Sequence, residues 1–400
     1  MDWTKVLARR AGRMKASEIR ELLKLLDQPD IISFAGGIPD PDLFPSAAYS
    51  DAFAATMADN NGHAALQYSV SEGYRPLREW LVGEMEKIGV PCAVDNIMIT
   101  SGSQQALDYL GKLFLTENDT AAVMRPTYLG ALGAFNAYEP RYIPLDPMSN
   151  IDPETLKTEA KAAGGAVKFA YLSADFANPT GETLPRDGRE RLLDQAEALD
   201  CAIIEDGAYQ NLRFDGEAIP PILALDIERK GGIENTRTIY CGSFSKTLAP
   251  GLRVGWVVAA KPVIDRLVLM KQAADLHSPT LNQIVTNHVA RAIFHEHVAK
   301  IKAVYASRRD RMLAALEREM PASVSFTRPE GGMFIWLTFD PKLDGADLLA
   351  KAVRDEKVAF VPGGAFFADG SGQNTLRLSY SCATDAQIDE GIARIGRILR

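Results

Sequence analysis

The segment 242–256 holds the residues of this sequence that are best suited to chemistry. Ser243, Ser245, Lys246 and Arg253 fall within eleven residues, directly after an apolar run typical of a buried strand. Hydroxyl groups and a guanidinium suit a phosphate group. A lysine at the end of a buried strand can form a Schiff base with an aldehyde. Taken alone, such a segment is more often a polar loop with a solvent-facing lysine.

Three further segments place polar residues beside apolar runs. Asp206 follows the run Ile203–Glu205, and Asn178 lies in a turn after another such run. Ser103 and Gln104 open a helical pattern. Open α/β sheets bind ligands at the carboxyl ends of their strands, and helix starts attract phosphate. Each segment also has a structural interpretation: a turn-capping aspartate, an Asn-Pro turn or an ordinary helix start.

Strand-like and helical segments alternate over the first two thirds of the chain. The predicted strands are 96–100, 120–124, 167–172, 201–205, 238–241 and 253–259. Between the first two, apolar residues from Ala106 to Phe114 follow the helical period. Strands separated by helix-length segments favour a mostly parallel sheet that is covered on both faces.

The last third of the chain predicts a second, smaller α+β domain. A long helical region is expected from about Asn282 to Arg318, which could be broken near His297. The expected strands 332–338 and 375–379 are each followed by a helix, over 346–356 and from residue 385 onward. Near the N-terminus, apolar spacing predicts a helix over Ser17–Asp27 with Ser17 as its N-cap.

Composition and charge exclude several classes of protein. Hydrophobic residues make up 46% and charged residues 24% of the 400 residues, which excludes a disordered, collagenous or coiled-coil chain. The net charge of −8 gives no electrostatic reason to expect nucleic acid as a partner. Neither a secretory signal nor a membrane-spanning run is predicted, and four scattered cysteines favour neither a metal cage nor disulfides. We therefore expect a reduced, cytoplasmic protein.

The order and spacing of the polar segments resemble fold type I pyridoxal-phosphate aminotransferases of classes I and II. Five motifs are most similar to the branch that contains 2-aminoadipate and kynurenine aminotransferases. They are SFAGGIPDPDLFP (33–45), LQYS (66–69), GSQQ (102–105), DLH (275–277) and NTLRLS (374–379). The resemblance covers nearly the whole chain. It implies a large domain with a mostly parallel seven-stranded sheet and a smaller α+β domain.

The same resemblance implies a division of the chain and a role for individual residues. An N-terminal segment would span 1–48, the large cofactor-binding domain 49–285 and the small C-terminal domain 286–400. Lys246 would form the Schiff base with pyridoxal 5′-phosphate and act as the catalytic base, and Asp206 would pair with the protonated ring nitrogen.

The remaining cofactor contacts are implied in the same way. Tyr128 would stack on the ring, and Asn178 and Tyr209 would bond its hydroxyl group. The phosphate would be held by Ser103, Gln104, Ser243, Ser245 and Arg253. Tyr68 would reach the phosphate of the neighbouring subunit, which implies a homodimer.

Four residues are implied to contact the substrate, besides Asn178. Arg377 would hold the α-carboxylate with its planar fork, and Gly37 and Ile38 would line the site. Arg20, in the predicted helix over Ser17–Asp27, would face the side-chain carboxylate of an acidic donor.

Three functions remain open at this point. The branch motifs favour an aminotransferase that passes the amino group of 2-aminoadipate, or of a broader acidic, aromatic or branched-chain range, to 2-oxoglutarate. A carbon–sulfur β-lyase uses nearly the same residues on the same fold. A regulatory protein that borrows the fold to bind an effector would carry a helix-turn-helix module, but only about thirty residues precede Ile31. We expect an enzyme with amino acids and 2-oxo acids as partners, without metal, nucleic acid or membrane.

Overall fold

The structure, a computed structural model, describes residues 1–14, 30–58, 61–148 and 152–399. The predicted helix over Ser17–Asp27, which carries Arg20, lies outside the described residues. The described α-helices are α1 (Ser46–Met57), α2 (Asn61–Leu66), α3 (Arg75–Lys87), α4 (Ser103–Phe114), α5 (Leu129–Asn136), α6 (Pro153–Ala162), α7 (Arg186–Leu199), α8 (Ile222–Lys230), α9 (Lys261–Ala274), α10 (Thr280–Glu319), α11 (Gly345–Lys351) and α12 (Asp385–Leu399).

The described strands form three sheets. They are β1 (Ile32–Ser33), β2 (Ile97–Thr100), β3 (Thr120–Met124), β4 (Arg141–Leu145), β5 (Val167–Leu172), β6 (Ala202–Asp206), β7 (Thr238–Ser243), β8 (Gly255–Val258), β9 (Ser325–Phe326), β10 (Phe334–Thr338), β11 (Val358–Ala359), β12 (Val361–Pro362) and β13 (Thr375–Ser379). The largest sheet has seven strands in the order β2-β8-β7-β6-β5-β3-β4. Six of these strands run in one direction and only β8 runs in the other, which confirms the predicted, mostly parallel sheet.

Helices cover both faces of the seven-stranded sheet. Successive side chains of a strand point to opposite faces, so Ile203 and Ile204 of β6 enter different hydrophobic clusters. Ile204 packs in the cluster that contains Leu107 of α4, and Ile203 packs in the one that contains Leu192 of α7. Burial on both faces explains why these strands read as continuous apolar runs rather than alternating ones.

A smaller antiparallel sheet has the strand order β12-β13-β10-β9. It packs with α12 and part of α10 around a hydrophobic core of its own. Helix α10 runs unbroken over forty residues, so the break considered near His297 is absent. The physical reason is that apolar residues continue on both sides of His297: Phe294 packs in the large-sheet cluster and Ile301 in the small-sheet cluster. The boundary expected at residue 285 falls within this helix, and the division into domains stays a prediction.

Local backbone geometry moves or adds some elements. The strand predicted over 253–259 begins only at Gly255, because Arg253 has a φ of 55°, outside the extended region. The helix predicted over 346–356 begins at Gly345, where Asp344 caps it, and ends in a π-helical turn over Ala352–Glu356. Strand β4 was not predicted, since its sequence RYIPL contains a proline and little apolar periodicity.

No helix in the described part of the chain is long and apolar enough to cross a membrane. The same part contains no group of three or more histidine, cysteine or acidic residues that could hold a metal ion. The cytoplasmic location stays a prediction.

Arg189 of α7 is fully buried and anchors the turn that carries Asn178. Its Nε donates to the Leu184 carbonyl at 2.9 Å, and its Nη1 donates to the Pro220 carbonyl at 2.9 Å. Its Nη2 lies 2.9 Å from Oδ1 of Asp175, a buried carboxylate shortly before Asn178. One guanidinium therefore fixes both ends of the connection between β5 and α7 and joins it to the connection that precedes α8.

We predict that Arg189→Met lowers the free energy of unfolding by about 3 kcal/mol, because it leaves buried acceptors without their donor. Arg213 also contacts Asp175, which limits the loss. Arg186→Met is the matched control, since Arg186 lies on the same helix in an exposed pair with Glu190. Exposed pairs contribute less than about 1 kcal/mol. Urea unfolding followed by circular dichroism measures both variants, and equal losses would contradict the assignment.

Candidate active site

The carboxyl ends of β2, β6 and β7 and the start of β8 lie at the same edge of the seven-stranded sheet. Asp206 is the last residue of β6, and Ser243 is the last residue of β7. Helix α4 begins at Ser103, just beyond the end of β2. Because β8 runs in the opposite direction, Arg253, which precedes it, reaches the same edge. The fold thus gathers residues that are up to 150 positions apart in the sequence.

Two glycines allow the close approach of these elements. Gly255 pairs with Ser243 in the sheet, and a Cβ atom on it would lie 2.7 Å from the backbone nitrogen of Ser103. Gly102 has a φ of 78°, and a Cβ atom there would overlap the guanidinium of Arg253. Only glycine fits at either position, so the start of α4 packs directly against Arg253 and β8.

A cavity of about 320 Å³ opens at this edge. It is lined by residues that follow the strands, by the segment before α1 and by β13: Gly36, Gly37, Ile38, Ser103, Gln104, Tyr128, Leu129, Ser173, Asn178, Asp206, Ala208, Tyr209, Ser243, Ser245, Lys246, Pro250, Arg253 and Arg377. An amine, a carboxylate, two guanidinium groups and several hydroxyl groups therefore share one small space.

Lys246 lies in the 3-10 turn directly after β7. Its Nζ donates to the carbonyl of Gly37 at 2.8 Å and lies 5.9 Å from the centre of the Tyr209 ring. Burial and, after it, the positive charge of Arg377 lower the pKa of the amine to about 8. The neutral amine, which is the form that attacks an aldehyde, is therefore well populated at mildly alkaline pH.

Asp206 is a buried carboxylate that lacks a cationic partner within the described residues. Its Oδ2 accepts a hydrogen bond from the Tyr171 hydroxyl at 2.9 Å, and its Oδ1 accepts one from the Ala208 N–H at 3.3 Å. Burial outweighs these bonds and raises the pKa of Asp206 above its ordinary value. A cation placed against it in the cavity would favour the ionised form.

Arg377 of β13 is buried, with 2% of its surface exposed. Its Nη1 donates to Oδ1 of Asn178 at 2.8 Å, its Nη2 donates to the Ala35 carbonyl at 2.9 Å, and its Nε has no partner in the described part of the chain. The guanidinium also lies 4.3 Å from the centre of the Phe334 ring. Burial lowers its pKa to about 10, so it stays cationic at neutral pH. A buried cation beside a cavity suits a carboxylate ligand.

The opposite end of the cavity offers donors to an anion. The Ser243 hydroxyl donates to Oγ of Ser245 at 2.9 Å and accepts from the Ser245 N–H at 3.1 Å. Arg253 donates only to carbonyl groups, those of Pro250 at 3.2 Å and Ser101 at 3.4 Å, and no described carboxylate pairs with it. Ser103 and Gln104, the first residues of α4, line the same cavity, and a helix start leaves its first N–H groups without intrahelical partners.

The segment 35–40, before α1, closes the cavity with its backbone. Two of its carbonyl groups accept the hydrogen bonds of the amine and the guanidinium described above. The carbonyl of Ile38 accepts a third from the Ser381 hydroxyl at 2.6 Å. Asp40 pairs with Arg308 of α10 at 2.7 Å, and Arg308 also donates to the Ser381 carbonyl. The segment is thus tied to the end of the strand that carries the buried guanidinium.

Most of the predicted site residues line this one cavity. They are Gly37, Ile38, Ser103, Gln104, Tyr128, Asn178, Asp206, Tyr209, Ser243, Ser245, Lys246, Arg253 and Arg377. Two do not: Tyr68 is 79% exposed and contacts His277 edge to face at 5.9 Å, and Arg20 lies outside the described residues. The sequence reasoning missed Gly36, Leu129, Ser173, Ala208 and Pro250. Gly36 and Pro250 lie within the segments 33–45 and 242–256 that the sequence analysis singles out, and Ser173 directly follows the apolar strand β5.

Comparison with known proteins decides the family. The family described as aminotransferase class I and II has a model that matches residues 30–395. The chain belongs to this family. It is 43% identical to the 2-aminoadipate transaminase of Thermus thermophilus, over 100% of this chain and 98% of that protein. It is 42% identical to the aromatic-amino-acid aminotransferase 1 of Thermococcus litoralis, over 100% of this chain and 95% of that protein.

A solved structure extends the comparison to the fold. The α-aminoadipate aminotransferase LysN from Thermus thermophilus, complexed with N-(5′-phosphopyridoxyl)-L-leucine, superposes with a TM-score of 0.88 and 41% identity. The match covers 100% of this chain and 98% of that chain. These findings confirm the predicted fold type I architecture, the predicted enzyme class and the predicted cofactor, pyridoxal 5′-phosphate.

The donor set of the cavity fits this cofactor of the aminotransferase. Among the described residues, the Lys246 amine has no acidic partner, which suits an aldehyde, and the buried Asp206 has no cationic partner, which suits a protonated ring nitrogen. The hydroxyl pair of Ser243 and Ser245 suits a phosphate, as does Arg253, with which no described carboxylate pairs. The amine, the carboxylate and the phosphate-binding residues line one cavity, and pyridoxal 5′-phosphate carries an aldehyde, a ring nitrogen and a phosphate to match them.

We predict that the Lys246 amine of the aminotransferase, freed of cofactor, reacts with pyridoxal at a rate that rises with pH and levels off above about pH 8. The reason is that only the neutral amine reacts, and the pKa lies at about 8 rather than near 10.5. In the Arg377→Met variant the reaction rate reaches its plateau at a higher pH, because removing that positive charge raises the pKa of the amine. Stopped-flow absorbance measures the rate. An unchanged profile in this variant would contradict the charge coupling.

Proposed function

We propose that this aminotransferase passes the amino group of an L-amino acid to 2-oxoglutarate, with 2-aminoadipate as one donor within a broader acidic, aromatic and branched-chain range. The names of the relatives support the donors: 2-aminoadipate, aromatic amino acids and, in the solved complex, a leucine adduct. The observation that carries the proposal is the buried Arg377, which has no carboxylate partner among the described residues and shares its cavity with Lys246. An amino-acid substrate brings an α-carboxylate, so it needs a free guanidinium beside a reactive amine.

Lys246 is proposed to have two tasks. Its amine attaches the cofactor through the aldehyde carbon, and after release it moves the proton at the substrate Cα. When bound, the cofactor supplies the electron sink for the carbanion that forms at that carbon. The lowered pKa of the lysine supports both tasks, because a neutral amine can attack a carbonyl and accept a proton.

Asp206, Asn178, Tyr128 and Tyr209 are proposed to hold the cofactor ring. Asp206 would face the ring nitrogen and keep it protonated, which explains why a carboxylate is buried here without another cation. Asn178 would contact the ring hydroxyl together with Tyr209, whose own hydroxyl lies 3.5 Å from the Asn178 amide nitrogen. Tyr128 would stack on the ring face.

The substrate carboxylate is proposed to bind Arg377. Its Nη1 is held by Asn178 and its Nη2 by a backbone carbonyl, so the guanidinium plane is fixed before the substrate arrives. Gly37 and Ile38 would line the donor's path, since the 56% exposed Ile38 stands at the cavity mouth.

The phosphate is proposed to bind Ser243, Ser245, Arg253 and the start of α4 at Ser103 and Gln104. The same end of the cavity would receive Tyr68 of a second copy of the chain, so the active form would be a homodimer. Tyr68 is 79% exposed and lies between the exposed Leu66 and Val70, and a group of exposed apolar side chains favours a partner.

We predict that the enzyme converts L-2-aminoadipate and 2-oxoglutarate to 2-oxoadipate and glutamate. Lys246→Ala should lose at least about a hundredfold in rate, since acid–base catalysis alone contributes about 10²–10⁴. Lys261→Ala is the control, because Lys261 forms an exposed pair with Asp265. Glutamate formation is followed by a coupled assay. Release of pyruvate and ammonia from a cysteine conjugate without glutamate formation would instead indicate a β-lyase, and binding without turnover an effector protein.

The donor range rests on a second test, which concerns Arg20. We predict that Arg20→Ala loses about ten- to a hundredfold in kcat/KM for 2-aminoadipate and glutamate, because one charge-assisted hydrogen bond contributes about 1.5–3 kcal/mol. Leucine and phenylalanine should change little. Steady-state kinetics with the four donors measures the split. An equal loss for all donors, or none, would remove Arg20 from the substrate site.

A further inference from the structure

A network of polar side chains around the buried Lys271 stands behind the turn at which α4 begins. Lys271 of α9 is the only lysine in the described part of the chain with a fully buried side chain in an ion pair. Its Nζ lies 3.0 Å from both carboxylate oxygens of Asp275 and donates to Oε1 of Gln105 at 2.8 Å. None of these three residues lines the cavity. A buried cation costs free energy unless it is well paired, so its presence here calls for a role.

Gln105 connects this ion pair to the backbone of the turn. Its Oε1 also accepts the N–H of Ser101 at 2.9 Å, and its Nε2 donates to Asp275 at 2.7 Å. The amide oxygen therefore meets two donors and the amide nitrogen meets a carboxylate, which fixes the orientation of the side chain. Lys271 and Asp275 each hold one end of Gln105.

The carbonyl side of the turn is held by Arg253. Its Nη2 donates to the Ser101 carbonyl at 3.4 Å, while Gln105 holds the N–H of the same residue. Ser101 is thus restrained on both sides, directly before Gly102 and Ser103 at the start of α4. The orientation of the first N–H groups of α4 depends on this restraint.

Asp275 is held from several directions in turn. Besides Lys271 and Gln105 it accepts a bond from the Tyr109 hydroxyl at 3.2 Å. These bonds outweigh burial and keep its pKa below the ordinary value, so it stays an anion. The next residue, Leu276, has a φ of 65°, a strained conformation that persists only where the surroundings fix it.

We propose that Lys271 and Asp275 are positioning residues that hold Gln105 and, through it, the turn 101–103 in the shape that receives the cofactor phosphate. The proposal rests on the proposed function, in which this turn binds the phosphate. The pair does not touch the cofactor. It acts by keeping the N–H groups at the start of α4 aimed at one point before the phosphate arrives, which lowers the ordering cost of binding.

The test compares two ligands that differ only in the phosphate. In the full chain stripped of cofactor, Lys271→Met should weaken pyridoxal 5′-phosphate by about tenfold, the equivalent of one hydrogen bond to the phosphate, and leave pyridoxal unchanged. Asp275→Asn, which keeps the shape of the side chain, should change the affinities in the same direction if Lys271→Met does not fold. Absorbance titrations measure both affinities.

The matched control is Lys261→Met. Lys261 pairs with Asp265 four residues along the same helix, as Lys271 pairs with Asp275, but its pair is exposed. It should change neither affinity. If Lys271→Met weakens the binding of both ligands equally, the pair only supports the fold and the proposal is overturned. The proposal is also overturned if the variant weakens the binding of neither ligand.

A further variant separates this proposal from the proposed function. Arg253→Gln removes a group that is proposed to touch the phosphate itself, so it should lower the preference for pyridoxal 5′-phosphate over pyridoxal. If it does and Lys271→Met does not, only the positioning role fails. If Arg253→Gln leaves the preference unchanged, the phosphate does not bind at this turn, and the assignment in the proposed function fails.

Discussion

The site of this aminotransferase depends on three charged groups that the fold buries around one cavity without pairing them. The amine of Lys246, the carboxylate of Asp206 and the guanidinium of Arg377 form no ion pair with one another or with another described residue. Burying unpaired charge destabilises a fold, and the shifted pKa values of all three groups record that cost. For Asp206, hydrogen bonds from the neutral Tyr171 hydroxyl and the Ala208 N–H limit the rise in pKa that burial causes. Charge remains available for a ligand because neutral groups, not counterions, satisfy these side chains.

The backbone of segment 35–40 supplies much of that neutral compensation. Its carbonyl groups accept hydrogen bonds from the Lys246 amine and the Arg377 guanidinium. A side-chain acceptor in their place would occupy space in the cavity. The position of this segment therefore sets the environment of both cations. Ser381, Asp40 and Arg308 fix it, since Arg308 bonds to the carboxylate of Asp40 and to the carbonyl of Ser381 at once. The local field at the site thus depends on a contact outside the cavity.

Sequence reasoning located those cavity residues that stand at or just after the end of an apolar strand. Asp206 is the last residue of β6, and Lys246 lies in the turn that follows β7. Parallel strands bring their carboxyl ends to one edge, so the position of both residues at this edge could be predicted. Partners that meet across long sequence separations carry no such periodic signal. The bond of Lys271 to Gln105 and the pair of Asp40 with Arg308 join residues on different elements, and polar side chains give no pattern that reveals their partners. The resemblance to a family predicted the enzyme class and the cofactor, but not the contacts that hold the site in place.

Helix α10 explains how the two parts of the site keep a common geometry. Its first half packs with the large sheet, through residues such as Val289, and its second half packs with the small sheet, through residues such as Met312. Lys246 is seated on the large sheet and Arg377 on the small one. A single continuous helix that enters both cores restrains the distance between the two side chains, because bending it would break buried contacts at both ends. Arg308 lies on the half of this helix that packs with the small sheet, and it pairs with Asp40 of segment 35–40. The helix that restrains the distance between Lys246 and Arg377 therefore also positions the backbone carbonyl groups that accept their hydrogen bonds.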